Sequence, residues 1–314
     1  MFSPPAERIA KEHYGDDLEG ALGLPIRMSG PASIKPLYAS PAEFGNTVTD
    51  EFGVVWSTSD IDRGSPIEPC LRGTSLNDYT FPEPGRTYRF EGLKEWCESQ
   101  KGHYRILWVG DLWERATFMC GMESILLDVA LHPAFVEELL ERLAEYILET
   151  LRIVLHTCDF EGIAVSDDYG TQNGMIISPS SWRSLVRPSL ARIYALAKSH
   201  GRTVLHHSCG DIVPIIGDLI DLGLDILHPI QPEAMDVALL KQEFGAHVTL
   251  CGGIPTQTLL VQEGPGAVRR EVKRLKRTLG QGGGYILEPG ITIQADVPAE
   301  NIFAMVDEAR TPRL

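Results

Sequence analysis

The sequence predicts an α/β protein built as a (β/α)8 TIM barrel whose first N-terminal unit is recast or incomplete. Three observations carry this. From about residue 104 onward, short apolar runs alternate with amphipathic segments, and buried strands separated by helices make a parallel sheet. Six or seven such units fit in 314 residues, which favours a closed barrel. No glycine-rich dinucleotide fingerprint follows any strand run, which argues against an open doubly wound sheet.

The strand runs are Arg105-Ile106-Leu107-Trp108-Val109, Gly162-Ile163-Ala164-Val165, Thr203-Val204-Leu205, Leu224-Asp225-Ile226-Leu227, Val248-Thr249-Leu250 and Tyr285-Ile286-Leu287. Pro133 suits a first helical position, and Val136, Leu139, Leu140, Leu143, Ile147 and Leu151 then recur at helical spacing. Asp211 is placed to cap a helix through Ile215, Ile216, Leu219 and Ile220 that stops at Gly223. Asp236 caps another that ends near Gly245, and a third carries Val268, Val272, Leu275 and Leu279 as far as Gly280. The first hundred residues are irregular and rich in proline and glycine. Within them Gly53-Val54-Val55-Trp56 reads as an early barrel strand, and the rest as loops over one mouth. The whole chain, 1–314, is expected to form one domain, with residues 1–100 irregular and 101–314 regular.

The composition, 43% hydrophobic, supports one large core. A formal charge of −15 argues against nucleic acid or an anionic membrane as the main partner. The N-terminal residues lack the apolar core of a signal peptide, and no apolar run reaches membrane-spanning length, so a cytoplasmic protein is expected. The six cysteines form no CxxC pair and are expected as free thiols.

Barrels of this kind place catalytic groups at the C-terminal ends of strands. Those ends are polar here: Ser166-Asp167-Asp168-Tyr169, His207-Ser208-Cys209, His228-Pro229, Cys251-Gly252-Gly253 and Glu288-Pro289-Gly290. Side chains alternate faces along a strand, so His207 and Cys209 point the same way and His206 points away. An imidazole and a thiol on one face make half of a zinc site, and Cys251 at another strand end supplies a third ligand. Glu288 is a rival or additional ligand. Of Asp167 and Asp168, the alternation admits only one to the pocket, where a carboxylate orients substrate or moves a proton. Arg115 is the candidate anion clamp, or else a surface ion pair with Glu114 or Asp111. Trp113, Tyr169, Gln172 and His228 are expected to line the substrate pocket.

These segments resemble the uroporphyrinogen decarboxylase superfamily. The resemblance runs through Gly110–Ala116, Ser166–Trp182, His206–Asp236, Cys251–Leu260 and Gly282–Ile302. It implies a (β/α)8 barrel with its active site at the strand C-termini. One branch decarboxylates without a cofactor; its N-terminal RQAGR-type arginine motif is absent, and its aspartate corresponds only loosely to Asp50 or Asp60. The other branch comprises zinc-dependent methyltransferases that use a His-x-Cys on one strand, which His207-x-Cys209 matches. That branch's third ligand falls near Ile291, which cannot bind metal, so Cys251 or Glu288 stands in. The resemblance also implies a usual first helix and strand. Here an irregular segment around Leu24 to Ser33 closes the barrel, or a partner subunit, as in a homodimer, covers that side.

The expectation is a zinc-dependent methyltransferase that exchanges a methyl group between a small thiol or methoxy compound and a corrinoid on a separate protein. The alternatives are a cofactor-free decarboxylase of a carboxylated substrate and a non-catalytic barrel that binds a small molecule.

Overall fold

The computed structural model describes residues 2–312. Seven parallel strands form the main sheet: β1 (Ile26–Ser29), β2 (Tyr104–Asp111), β3 (Gly162–Ser166), β4 (Thr203–His207), β5 (Ile226–Ile230), β6 (Thr249–Ile254) and β7 (Tyr285–Pro289). Their spatial order follows the chain order, each strand hydrogen-bonded to the next in parallel. A doubly wound sheet would reverse direction at a switch point. Each of the six predicted runs overlaps a strand, although Leu224, Asp225 and Val248 fall just before theirs.

The helices of eight or more residues are α1 (Pro4–Tyr14), α2 (Trp113–Cys120), α3 (Met122–Leu131), α4 (Pro133–Thr157), α5 (Arg187–Ser199), α6 (Val213–Leu222), α7 (Val237–Phe244), α8 (Pro265–Thr278) and α9 (Ala299–Arg310). In α4 the buried positions Val136, Leu139, Leu140, Leu143, Ile147 and Leu151 form the predicted stripe. Truncating one of them, as in Leu139→Ala, costs roughly 2–5 kcal/mol. Asp236 caps α7 by accepting from the Ala238 and Leu239 amides. The cap of α6 differs by one residue from expectation: Ile212 holds the cap position, while Asp211 still accepts from the Val213 N–H at 3.0 Å.

Two core clusters establish the barrel. Outward residues such as Leu107, Ile163, Val204, Leu227 and Leu250 share one large cluster with the helices. The other face is lined by strand residues alone: Ile106, Ala164, Leu205, Ile226 and Cys251, flanked by Ile26, Met28, Trp108 and Ile286. All seven strands contribute to this helix-free interior, so the helices cover one face only. That is the layering of a (β/α)8 fold rather than of a sheet sandwiched between helices.

One N-terminal expectation changes. The segment around Val55 is not a barrel strand. Val55–Ser57 is the middle strand of a separate antiparallel sheet with Thr47–Thr49 and Pro66–Glu68. Asp50 organises this sheet, accepting from the Phe52 and Val54 amides and the Trp56 indole. The first barrel strand is Ile26–Ser29, inside the Leu24–Ser33 segment expected to stand on that side, and it pairs with Tyr104–Leu107. The sheet has seven hydrogen-bonded strands, and among the described residues no ladder joins β7 to β1. Among the described residues no helix is long and apolar enough to cross a membrane.

Candidate active site

Strand parity decides which polar residues enter the barrel mouth. On β3, Ala164 faces inward, so Ser166 and Asp168 follow it, while Val165 and Asp167 face the helices. On β4, Leu205 faces inward and His207 and Cys209 follow it, while Val204 and His206 face outward. The loops that carry these residues lock together by close backbone approach. Gly210 has φ 79°, and a Cβ there would lie 2.3 Å from the Gly170 carbonyl carbon, so only glycine fits. The Asp211 amide donates to the Thr171 carbonyl across the same contact.

Six donor side chains gather in two sets. Asp168, His207 and Cys209 offer ligand atoms all within 4.8 Å of one another, and so do His228, Cys251 and Glu288. In the first set the Cys209 thiol lies 3.5 Å from His207 Nε2, and Asp168 Oδ1 lies 3.5 Å from the same nitrogen. Asp168 Oδ1 also accepts from the Cys209 amide at 2.8 Å, which holds the two residues together. In the second set the Cys251 thiol donates to Glu288 Oε2 at 3.2 Å, and His228 Nε2 lies 3.4 Å from the same oxygen. His207 Nδ1 and His228 Nδ1 join the sets at 2.9 Å.

The expected grouping of His207 and Cys209 with Cys251 is therefore divided. Cys251 falls with His228 and Glu288, and Asp168 completes the His-x-Cys set. Side-chain period alone gives the face of each residue, not its height on the neighbouring strand, and height decides the grouping. Signals for the two added donors were present, since Asp168 lies two residues past the end of β3 and His228 lies on β5.

Burial shapes the protonation of these groups. It pushes the His207 imidazole down to about 4, with the neighbouring His228 adding to the effect. Burial and the Asp168 carboxylate raise the Cys209 thiol, and burial and Glu288 raise Cys251. Burial alone would raise Glu288, but the hydrogen bonds from His228 and Cys251 outweigh it and hold the carboxyl low. A neutral imidazole is the form that ligates metal; the thiols would each release a proton on binding it. Bonds of about 2.0–2.3 Å put two donors on one zinc no more than about 4.6 Å apart; His207 stands 3.5 Å from both Cys209 and Asp168, and Glu288 3.2 and 3.4 Å from Cys251 and His228, so these separations and the nitrogen, sulfur and oxygen chemistry suit zinc.

Glu114 is a mouth residue that sequence reasoning treated only as a partner for Arg115. It is buried, accepts from the Ser166 hydroxyl at 2.8 Å and has Arg63 at 3.5 Å. Burial, reinforced by the Asp168 charge, pushes its carboxyl up to about 7, the range of a general acid at neutral pH. Its place in the first turn of α2 gives no sequence signal that separates it from a solvent-facing acid.

The remaining candidates are distributed as follows. Asp167 is fully buried behind the strand, where it caps α2: its Oδ1 accepts from the Leu112 and Glu114 amides at 2.8 and 3.0 Å. Its Oδ2 accepts from the Tyr169 hydroxyl at 2.9 Å. Tyr169 and Trp113 are fully buried in the outer core, Tyr169 stacked on His206 and edge-on to Trp182. Arg115 is mostly buried, and its partners are Asp50 at 2.7 Å and Asp111 at 3.1 Å rather than Glu114. Gln172 lies on the rim, where it donates to Gln257, whose amide in turn bonds Glu233. His228 sits in the second donor set. All six cysteines are free.

Comparison with known proteins gives a consistent result. A family model described as "Uroporphyrinogen decarboxylase (URO-D)" matches residues 109–312. The chain is 28% identical over 175 residues to uroporphyrinogen decarboxylase of Thermus thermophilus, covering 54% of this chain and 48% of the relative. It is 24% identical over 241 residues to uroporphyrinogen decarboxylase of Psychromonas ingrahamii, covering 72% and 64%. The chain thus spans about half to two thirds of the length of the curated relatives it matches. Among solved structures, a methyltransferase from Methanosarcina mazei superposes with a TM-score of 0.68 at 19% identity, covering 82% of this chain and 75% of that one. At that identity the likeness speaks for the fold.

Proposed function

The chain belongs to the uroporphyrinogen decarboxylase family, and from that premise we propose that it is a zinc-dependent methyltransferase. The observation that carries the reading is the convergence of Asp168, His207 and Cys209 within 4.8 Å at the barrel mouth, on the His-x-Cys strand that zinc-dependent members of the superfamily use. These three residues would hold the metal, with His228, Cys251 and Glu288 as the neighbouring set that buttresses His207. Bound zinc would supply Lewis acidity toward an ether oxygen, or keep a substrate thiol as thiolate near neutral pH. The methyl donor or acceptor would be a corrinoid on a separate protein. The fold likeness to a solved methyltransferase supports the same reading.

The chain's own residues have definite tasks. Asp168 holds the Cys209 backbone and so sets the thiol beside His207. His228 holds the His207 ring through its Nδ1, fixing the ring orientation that leaves Nε2 facing Cys209. Glu114, its carboxyl raised to about 7, gives its proton to a departing alkoxide or thiolate and is reprotonated from solvent before the next turnover. Gln172 and Gln257 on the rim, with His228 inside, bound the substrate. Trp113 and Tyr169 act through packing, and Asp167 through the cap it gives α2.

Elemental analysis of protein purified without chelator tests the reading. About one equivalent of zinc, lost in His207→Ala and Cys209→Ser, is expected; wild-type protein devoid of zinc and unable to take it up overturns it.

A second reading is favoured by Glu114. A buried carboxylic acid held near pH 7 beside Asp168 suits protonation of the carbanion left by decarboxylation, the activity named for the curated relatives. Turnover of a carboxylated substrate by chelated, metal-free protein, abolished by Glu114→Gln, would support this reading over methyl transfer.

A further inference from the structure

Arg115, the arginine expected to clamp an anion, is neutralised by Asp50 and Asp111. A second arginine reaches the mouth. Arg63 stands on the loop between Val55–Ser57 and Pro66–Glu68 of the small antiparallel sheet. Its Nη2 lies 3.5 Å from Glu114 Oε1, and the other Glu114 oxygen accepts from Ser166, which pairs in register with His207. A single contact at 3.5 Å is longer than an ordinary N–H···O bond. The Arg63 side chain is 50% exposed, and among the described residues it has no other hydrogen-bond partner.

Lys35 is a second cation beside it. Its Nζ lies 4.6 Å over the Trp56 ring and donates to the Pro36 and Leu37 carbonyls; among the described residues no carboxylate pairs with it. Trp56 packs edge-on to Phe118, and the Arg63 guanidinium lies 5.9 Å over Phe118. Two accessible cations thus flank one aromatic pair. Burial, and after it the Arg63 charge, pushes the Lys35 ammonium down to about 8. The acids of the same segments have other partners. Asp50 takes Arg115 and the Trp56 indole, Glu51 the Ile34 amide, Asp60 the Ser40 hydroxyl and Asp62 the Gly64 amide. A partly desolvated cation is ordinarily paired, and Lys35 is not.

We propose that Arg63 and Lys35 form an oxyanion site at the rim of the mouth, which holds a carboxylate or phosphate group of the substrate while the reacting end faces the donor sets. Arg63 offers the planar fork and Lys35 a point charge. The proposal rests on the mouth being the reacting site, and it makes the substrate an anion.

Chelated full chain tests it apart from zinc. The probes are acetate, inorganic phosphate and neutral acetamide, at constant ionic strength because salt alone screens exposed charges. Titration calorimetry reads binding, and the rate of Lys35 modification by acetic anhydride, followed by peptide mass analysis, reads the place. Acetate or phosphate is expected to bind and to protect Lys35, and the tighter of the two identifies the group; acetamide should do neither. Arg63→Gln alters an exposed loop side chain, so it should melt as wild type does and weaken the anion at least about tenfold, as loss of a hydrogen bond between charged groups does. Lys35→Gln should weaken it as well. Arg72→Gln, at an exposed arginine paired with Glu68, should bind as wild type does. Binding unchanged in Arg63→Gln, equal protection by acetamide, or neither binding heat nor protection each overturns the proposal. Zinc content is measured separately, so anion binding by a chain that takes up no zinc would sink the metal reading and keep this one.

Discussion

The two faces of strands β3 and β4 carry the same residue types to opposite ends. Asp167 and Asp168 are neighbours, as are His206 and His207, yet one of each pair faces the helices and the other the barrel mouth. On the outer face Asp167 caps α2 and receives the Tyr169 hydroxyl, while His206 stacks on Tyr169 and bonds the Tyr194 hydroxyl at 2.8 Å. On the inner face Asp168 and His207 stand beside a thiol in a ligand-like cluster. The outer groups tie helix to strand. The inner ones are held by only a few contacts each and keep atoms available. A carboxylate or imidazole is thus scaffold or chemistry according to one step of the pleat.

Substitution can break this contrast. The largest effect is expected at His207→Ala and Cys209→Ser, which should cost more than about 100-fold in zinc affinity, since loss of residues that merely support a ligand already costs 10–100-fold. Their metal-free stability should stay close to that of chelated wild type. Zinc titration with a competing chelator, paired with thermal melts, checks both halves.

Next comes Asp167→Ala. It strands two buried amides at the start of α2 and should cost about 2–4 kcal/mol of stability, with zinc content unchanged in the protein that folds. Urea unfolding and elemental analysis on the same sample would show whether the outer face is purely structural.

Glu114→Gln sharpens the inner side through pH. The folded-state pKa of Glu114 is raised to about 7 from an ordinary 4.5. Between those values the folded protein keeps a proton that the unfolded chain has released, so this group's stability contribution falls as pH rises through the window. The variant escapes that loss. In chelated protein its advantage should grow from pH 5 to pH 8 and then level off, on the order of 3 kcal/mol at most. Melts that shift equally at both pH values would remove Glu114 from the list of mouth acids.

The smallest effect is expected at His206→Phe. Stacking on Tyr169 survives and an unpartnered Nε2 is removed, which offsets the lost bond to Tyr194. A net change within about 1 kcal/mol and unchanged zinc content would complete the contrast with His207.

Much of this was legible in the chain. The apolar runs marked six of the seven strands, because a buried parallel strand must be apolar on both faces. The HxC spacing put His207 and Cys209 on one side, and His206 on the other, from the pleat alone. The first strand was hidden: Ile26–Ser29 is short, carries Arg27 and sits amid prolines and glycines. The Val55 segment read more like a barrel strand, yet it pairs within a small antiparallel sheet, since local pattern does not name a strand's partner.

The sequence by itself determined the repeating units, the barrel class and which side of each strand a polar residue occupies, because these follow from periodicities a few residues long. Only the tertiary structure decided that Cys251 stands with His228 and Glu288, that Asp168 completes the set of His207 and Cys209, and that Arg115 answers to Asp50 sixty-five positions away. Those groupings depend on how far each strand is displaced along its neighbour and on how the sheet curls. Strand stagger is set by the packing of the whole barrel, and no short stretch of sequence encodes it.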